Sequence, residues 1–219
     1  MLSRLAARAL TSGAILAVVI ASGAAQACGG KTELFRDDFT KVNRAWAKPS
    51  NFKTEFVIGG GKMLAKNAEG EWGKITYGAK LFAEADVCVD VVVPQVDDPT
   101  DKWAGILFEG PDGNYIVAIG FDGTIGVHVS GPDGWLEPIP HSDFDGVKTE
   151  AKAVNRVRVV WKGPPPKGST APADSTVTVY VNDKMFDTFD VAPNSNRKIG
   201  FGFQTESSGV EFRNLVVTK

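Results

Sequence analysis

The sequence predicts an all-β protein in which two antiparallel sheets pack as a sandwich behind a cleavable export signal. Three observations carry the fold class. Beyond residue 27 no apolar run keeps a 3.6-residue period, so no amphipathic helix is expected. Roughly a dozen short runs rich in Val, Ile, Phe and Trp alternate instead with clusters of Gly, Pro, Asp and Asn. Three of those clusters, at Asp112-Gly113, Asp122-Gly123 and Asp133-Gly134, carry the pair that tolerates positive φ in tight hairpin turns. Short strands without helices bury their apolar faces only against another sheet or in a barrel.

The chain opens MLSRLAARALTSGAILAVVIASGAAQA. Arg4 and Arg8 form a basic start, Leu10 to Ile20 is mostly apolar, and Ala25 and Ala27 frame an A-x-A cleavage site before Cys28. That is the anatomy of a secretory signal peptide over residues 1–27. A membrane anchor needs about 20 predominantly apolar residues, more than this run supplies. The short basic start and Ala-rich middle resemble bacterial signals, so the expected destination is the periplasm or the outside. Lipidation at Cys28 is the lesser reading, because Ala25-Gln26-Ala27-Cys28 departs from the usual Leu-Ala-Gly-Cys pattern.

Residues 28–219 are enough for one domain with a full core. Cleavage would take Arg4 and Arg8 from 24 basic residues and leave all 26 acids, a net charge of −4. Such a balance offers no electrostatic footprint for nucleic acid or anionic membrane. No later apolar stretch approaches the length of a transmembrane segment. Two cysteines exist, Cys28 and Cys88. An oxidising compartment would let them pair, whereas Cys88 inside the apolar run ADVCVDVVV also reads as a buried free thiol. With only His128 and His141 beside them, no zinc-like spacing is present.

The strands follow in order. Phe56-Val57-Ile58 turns at Gly59-Gly60-Gly61 into Met63-Leu64, and Ala85 to Val93 runs until Pro94. Ala104 to Phe108 precedes Tyr115 to Phe121, whose Tyr115, Val117, Ile119 and Phe121 share one face. Thr124 to Val129 comes next, and then Arg156 to Trp161 with Val157, Val159 and Trp161 inward. Thr176 to Val181, the alternating Ile199-Phe201-Phe203 run and Val210 to Val217 close the chain. The segment Gly163 to Ser175 is read as a long Pro-rich hairpin loop, and PQVDDPTDK over 94–102 as an exposed acidic loop.

The order of these features resembles the concanavalin A-like lectin/glucanase superfamily, specifically the laminin-G-like jelly rolls of bacterial exported proteins. The resemblance is carried by LFRDDFTKVNRAW (Leu34 to Trp46), FVIGGGKMLAK (Phe56 to Lys66) and WAGILFEGPDGNYIVAIGFDGTIGV (Trp103 to Val127). It continues through NRVRVVWKG, STVTVYVNDKMFDTF and the closing KIGFGFQTESSGVEFRNLVV (Lys198 to Val217). It implies a jelly-roll sandwich but no single reaction, since glucanases, lectins, carbohydrate-binding modules and adhesion domains share that fold.

Family 16 glucanases on this fold carry E-x-D-x-x-E on one strand, which places catalytic carboxylates on one face. Here the nearest string is Glu84-Ala85-Asp86-Val87-Cys88-Val89, with Val89 where the third acid belongs. Glu84, Asp86 and Asp90 are therefore read as the solvent side of a strand, and no catalytic residue is assigned. The 3-keto-disaccharide hydrolase-like jelly rolls are a more distant resemblance, and both the opening and the centre differ from theirs in polar identity. No nucleophile elbow, Ser-His-Asp set or P-loop is found. No cofactor is assigned. Calcium is left open by Asp97, Asp98 and Asp101 and by Asp37-Asp38, although a solvated loop explains the first group and backbone hydrogen bonding the second.

Sugar recognition uses aromatic faces against C–H surfaces and polar groups for hydroxyls. Trp46 and Trp161 read as core, while Trp72, Trp103 and Trp135 sit at loop–strand junctions. Trp103, Glu109, Tyr115 and Gln204 are expected to share one concave sheet face, with Trp135 as an exposed platform. The leading expectation is an exported, non-catalytic module that binds carbohydrate or a cell-envelope glycan. A glycan-active hydrolase with an unrecognised acid pair is the second, and a structural or interaction domain of the envelope the third.

Overall fold

A computed structural model describes residues 28–48, 53–68, 71–110, 113–132, 134–163, 175–192, 197–205 and 209–219. The expected signal peptide and most of the Pro-rich loop (164–174) lie outside the described residues, as does Asp112 and Asp133 of two expected turns. The first strands are β1 (Glu33–Asp37), β2 (Trp46–Ala47), β3 (Thr54–Gly59), β4 (Lys62–Asn67) and β5 (Gly73–Tyr77). Next come β6 (Ala85–Val92), β7 (Trp103–Gly110), β8 (Gly113–Gly120), β9 (Thr124–Gly131) and β10 (Gly134–Asp143). The last are β11 (Val154–Lys162), β12 (Ser175–Val181), β13 (Lys184–Val191), β14 (Lys198–Gln204) and β15 (Val210–Thr218).

Two antiparallel sheets result. The first runs β13-β12-β11-β6-β15-β4-β3, with β1 also paired to β15, and the second runs β10-β9-β8-β7-β14-β5-β2. The chain changes sheet eight times, at β1–β2, β2–β3, β4–β5, β5–β6, β6–β7, β10–β11, β13–β14 and β14–β15, so neither sheet is a simple meander. The protein is an all-β jelly-roll sandwich. Its core is built by alternation: Val87, Val89, Val91, Val157, Val159, Trp161, Val177, Val179 and Val181 from the first sheet meet Ala104, Ile106, Phe108, Val117, Ile119, Phe201 and Phe203 from the second. Burying a Val or Phe side chain contributes about 1.5–3 kcal/mol, so this interface is the main source of stability.

Turns and polar hubs fit the chemistry of their residues. Gly60 and Gly61 both take positive φ (60° and 81°) between β3 and β4, and Asn182 and Asp183 do so (49° and 68°) between β12 and β13. Asp37 accepts hydrogen bonds from Phe39 N (2.9 Å), Asn43 Nδ2 (3.2 Å) and Trp46 Nε1 (2.9 Å), fastening the first strand to the buried Trp46. Cys28 and Cys88 are joined as a disulfide with Cα atoms 5.8 Å apart.

Two local expectations are corrected. Asp86 and Asp90 lie on the outer side of β6, but they are only 6% and 8% exposed rather than solvated. Arg158 donates two bonds of 2.8 Å to Asp86, and Asp90 accepts from Arg156 (2.9 Å) and Asn214 (2.7 Å). The guanidinium groups of β11 cover the acids that alternation turned outward. The other correction is β10, absent from the sequence-derived strands because Pro138 and Pro140 interrupt it. It lies at the edge of the second sheet, where proline removes no required ladder bond.

Candidate functional site

The outer face of the second sheet is not uniformly polar. Leu107, Ile116 and Ala118 form a small apolar floor with Trp103, and Trp72 packs against it. Trp103 begins β7 between Gln204 of β14 and Gly120 of β8, its ladder partners on the two sides. From this floor opens a cleft of about 610 Å³, walled by Trp72, Trp103 and Trp135, the acids Asp101, Asp122 and Glu137, and His128, His141 and Gln204. Its volume falls within the roughly 300–1,000 Å³ usual for small-molecule sites.

The indoles form a connected group. Ring centroids are 5.3 Å apart for Trp72 and Trp135 and 6.0 Å for Trp103 and Trp135. Trp103 is only 5% exposed, whereas Trp135 at the rim is 39% exposed. His128 lies between them, 4.7 Å from the Trp103 ring and 4.8 Å from the Trp135 ring.

His128 is placed by simple alternation on β9: Val127 faces the core, so its neighbour faces the cleft. The side chains of β10 need more. Its register against β9 shifts between Leu136 and Ile139 and again between Ile139 and Ser142, with one extra residue each time. Trp135, Glu137, Ile139 and His141 would share one face of a regular strand. The first bulge turns Ile139 in to pack on the core, and the second returns His141 to the cleft. His141 then lies across Gly126, where an added Cβ would sit 2.3 Å from the imidazole Cδ2. Only glycine leaves that space.

These placements assemble a polar chain. Thr124 Oγ1 donates to Asp122 Oδ1 (2.7 Å) and lies 2.9 Å from His141 Nδ1. His141 Nε2 is 3.0 Å from His128 Nε2, and His128 Nδ1 is 3.4 Å from Glu137 Oε1. Trp135 Nε1 donates to the same Glu137 oxygen at 3.4 Å. Burial, and then the neighbouring His141, push His128 down to about 4 against the opposing pull of Glu137. Burial also lowers His141, against the pull of Asp122, Glu137 and Asp101. His128 is therefore neutral at neutral pH, and its ring can act as a hydrogen-bond partner, a base or a ligand.

Of the five residues expected to bind ligand, Trp103, Trp135 and Gln204 come together around this cleft. Glu109 lies at the far end of β7, about 20 Å from Trp103 at the usual strand rise, and faces Lys74 Nζ at 3.6 Å. Tyr115 does not share the outer face. It opposes Phe108, stacks on that ring at 5.1 Å, and has the Arg197 guanidinium 5.2 Å from its centroid. The grouping of Tyr115 with Trp103 is thus corrected, since an odd position on β8 faces the core while an odd position on β7 faces out. Of the acids weighed for calcium, Asp98 accepts from Thr100 N (2.9 Å), Asp37 is the hub described above, and Asp101 reaches the cleft. His128, His141, Asp122 and Glu137 were not foreseen as a group. Two histidines thirteen residues apart carry no ligand spacing, and strand pairing alone unites them.

No protein-family model and no curated protein matches the chain. Solved structures do match in fold. The carbohydrate-binding module CBM66 from Bacillus subtilis superposes with a TM-score of 0.55 at 9% identity, over 80% of this chain and 94% of that one. The Emp46p carbohydrate recognition domain gives 0.58 at 8% identity, over 83% and 94%. A GlcNAcα1-4Gal-releasing endo-β-galactosidase from Clostridium perfringens gives 0.59 at 10% identity, over 86% of this chain and 63% of that one. The jelly roll is thus shared with carbohydrate-binding modules, lectin domains and glycoside hydrolases.

Proposed function

We propose that the protein is an exported, non-catalytic carbohydrate-binding module of the concanavalin A-like type, and that its ligand, a free or cell-envelope glycan, lies in the tryptophan cleft of the second sheet. The observation that carries this reading is the convergence of three indoles with Gln204, three carboxylates and two imidazoles in one cleft. Indole faces suit the C–H surface of a sugar ring, and the polar rim suits its hydroxyls. The structural neighbours that bind or process carbohydrate support it. The signal-like residues 1–27 and the cystine, which an oxidising compartment favours, support export to the periplasm or the outside. Val89 in place of the third glucanase acid supports the non-catalytic reading.

A glycan-array screen of the purified exported protein, with and without calcium, tests the proposal. Binding should survive as a defined set of glycans, and Trp135→Ala should weaken it roughly tenfold, the ~1.4 kcal/mol of one aromatic contact. A blank array in both conditions, or a Trp135→Ala protein that binds like the parent, removes the reading. One observation favours a second reading, glycan cleavage: the same cleft holds the His128–His141 pair beside Glu137 and Asp122. Release of reducing ends or unsaturated products from an array-positive glycan, lost in His141→Gln, would establish it.

A further inference from the structure

We propose that His128 and His141 form a binding site for a divalent transition-metal ion, with the two Nε2 atoms as adjacent ligands of a copper(II)-type centre. The inference does not depend on the glycan reading.

The hydrogen-bond chain dictates where the protons sit. Thr124 has one hydroxyl proton and gives it to Asp122 at 2.7 Å, so at 2.9 Å it must accept from His141 Nδ1–H. His141 Nε2 is then a bare lone pair. His128 Nδ1 faces the Glu137 carboxylate at 3.4 Å, is buried, and has no hydrogen-bond partner. A proton on Nδ1 makes that contact attractive but leaves two Nε2 lone pairs facing each other at 3.0 Å. A proton on Nε2 joins the two rings but turns a second lone pair toward a carboxylate. A neutral His128 satisfies one side only.

A divalent cation between the Nε2 atoms resolves both sides at once. Each Nδ1–H then points to a carboxylate, directly for His128 and through Thr124 for His141. That is the arrangement by which outer groups fix the tautomer of metal-bound histidine. The separation also selects the geometry. With metal–nitrogen bonds of about 2.0–2.1 Å, nitrogens 3.0 Å apart subtend roughly 95° at the metal. A right angle belongs to tetragonal or octahedral centres such as copper(II) or nickel(II), while a tetrahedral ion would need about 3.3–3.4 Å. Asp101, Asp122 and Glu137 line the same cleft and set a negative field, with Lys102 as its opposing charge.

The indoles supply the readout, since copper(II) quenches tryptophan emission at short range and the rings of Trp103 and Trp135 lie 4.7 Å and 4.8 Å from His128. The full exported chain, stripped with EDTA, is titrated with copper(II) chloride at pH 7.5 and followed by fluorescence and calorimetry. One ion per chain should bind saturably, with a two-nitrogen signature in its electron paramagnetic resonance spectrum. His141→Gln, at a partly buried position, should weaken binding at least tenfold, and His128→Gln likewise. Thr124→Val, which removes the hydroxyl that links His141 Nδ1 to Asp122 but no proposed ligand, should weaken it roughly tenfold. Zinc should compete more weakly than nickel. Wild-type protein without saturable quenching overturns the proposal, as does binding that persists unchanged in both histidine variants, because the ion would then sit elsewhere. A blank glycan array leaves these outcomes untouched, and failure of copper to bind leaves the glycan reading standing.

Discussion

Reducing the Cys28–Cys88 bond should cost about 4 kcal/mol of global stability. The bond closes a loop of 60 residues. In the chain-entropy account, a cross-link of that span removes about 14 cal/mol/K from the unfolded ensemble, or about 4 kcal/mol at 25 °C. Domains of this kind are stable by only about 5–15 kcal/mol, so the loss is a large share of the whole. Its full size requires that the segment after Cys28 stay docked until the sandwich opens. The structure gives it the means: Thr32 and Lys219 exchange backbone hydrogen bonds of 2.9 and 2.8 Å, and Cys28 and Cys88 are packed with Val216. Urea unfolding followed by tryptophan fluorescence, comparing oxidised protein with protein held in reductant, measures the difference. A loss below about 1 kcal/mol would refute the reasoning, because residues 28–32 would then detach locally and leave the sandwich intact.

Other perturbations probe the sheets and their charges. Burial pulls Glu211 up, but Lys62 (2.6 Å) and Arg213 (2.5 Å) together hold it below the usual 4.5. Its contribution should be complete above pH 4.5 and vanish as pH falls through the lowered value, so the urea midpoints of wild type and Glu211→Gln should differ at pH 7 and converge at pH 2. Gly105→Ala should destabilise by at least ~2 kcal/mol, since its Cβ would meet the Val117 carbonyl oxygen at 1.8 Å and backbone in a central ladder cannot yield; an unchanged melting temperature would contradict this. Trp135→Ala should leave the melting temperature nearly unchanged, because the ring sits at the rim and is 39% exposed.

Legibility followed regularity. Where a strand keeps a period of two and one face meets the core, its sequence states its orientation, as in Val157-Val159-Trp161 and Val177-Val179-Val181. Both faces of β7 and β8 are apolar, so there the pattern loses its meaning: Leu107 and Ile116 are as buried as Ile106 and Val117. The placement expected for Tyr115 fails for that reason, although its alternation with Val117 and Ile119 points inward. The cleft was least legible where it is most specific. Trp103 and Gln204 could be placed on one face because β7 and β14 are regular and directly paired. His141 could not, because two bulges in β10 reverse the side-chain sense twice within seven residues, and prolines at 138 and 140 hide the strand altogether. Bulges also explain why the histidines meet: without the second one, His141 would point with Ile139 into the core and His128 would face Glu137 alone. The irregularity of β10 is therefore the feature that builds the site.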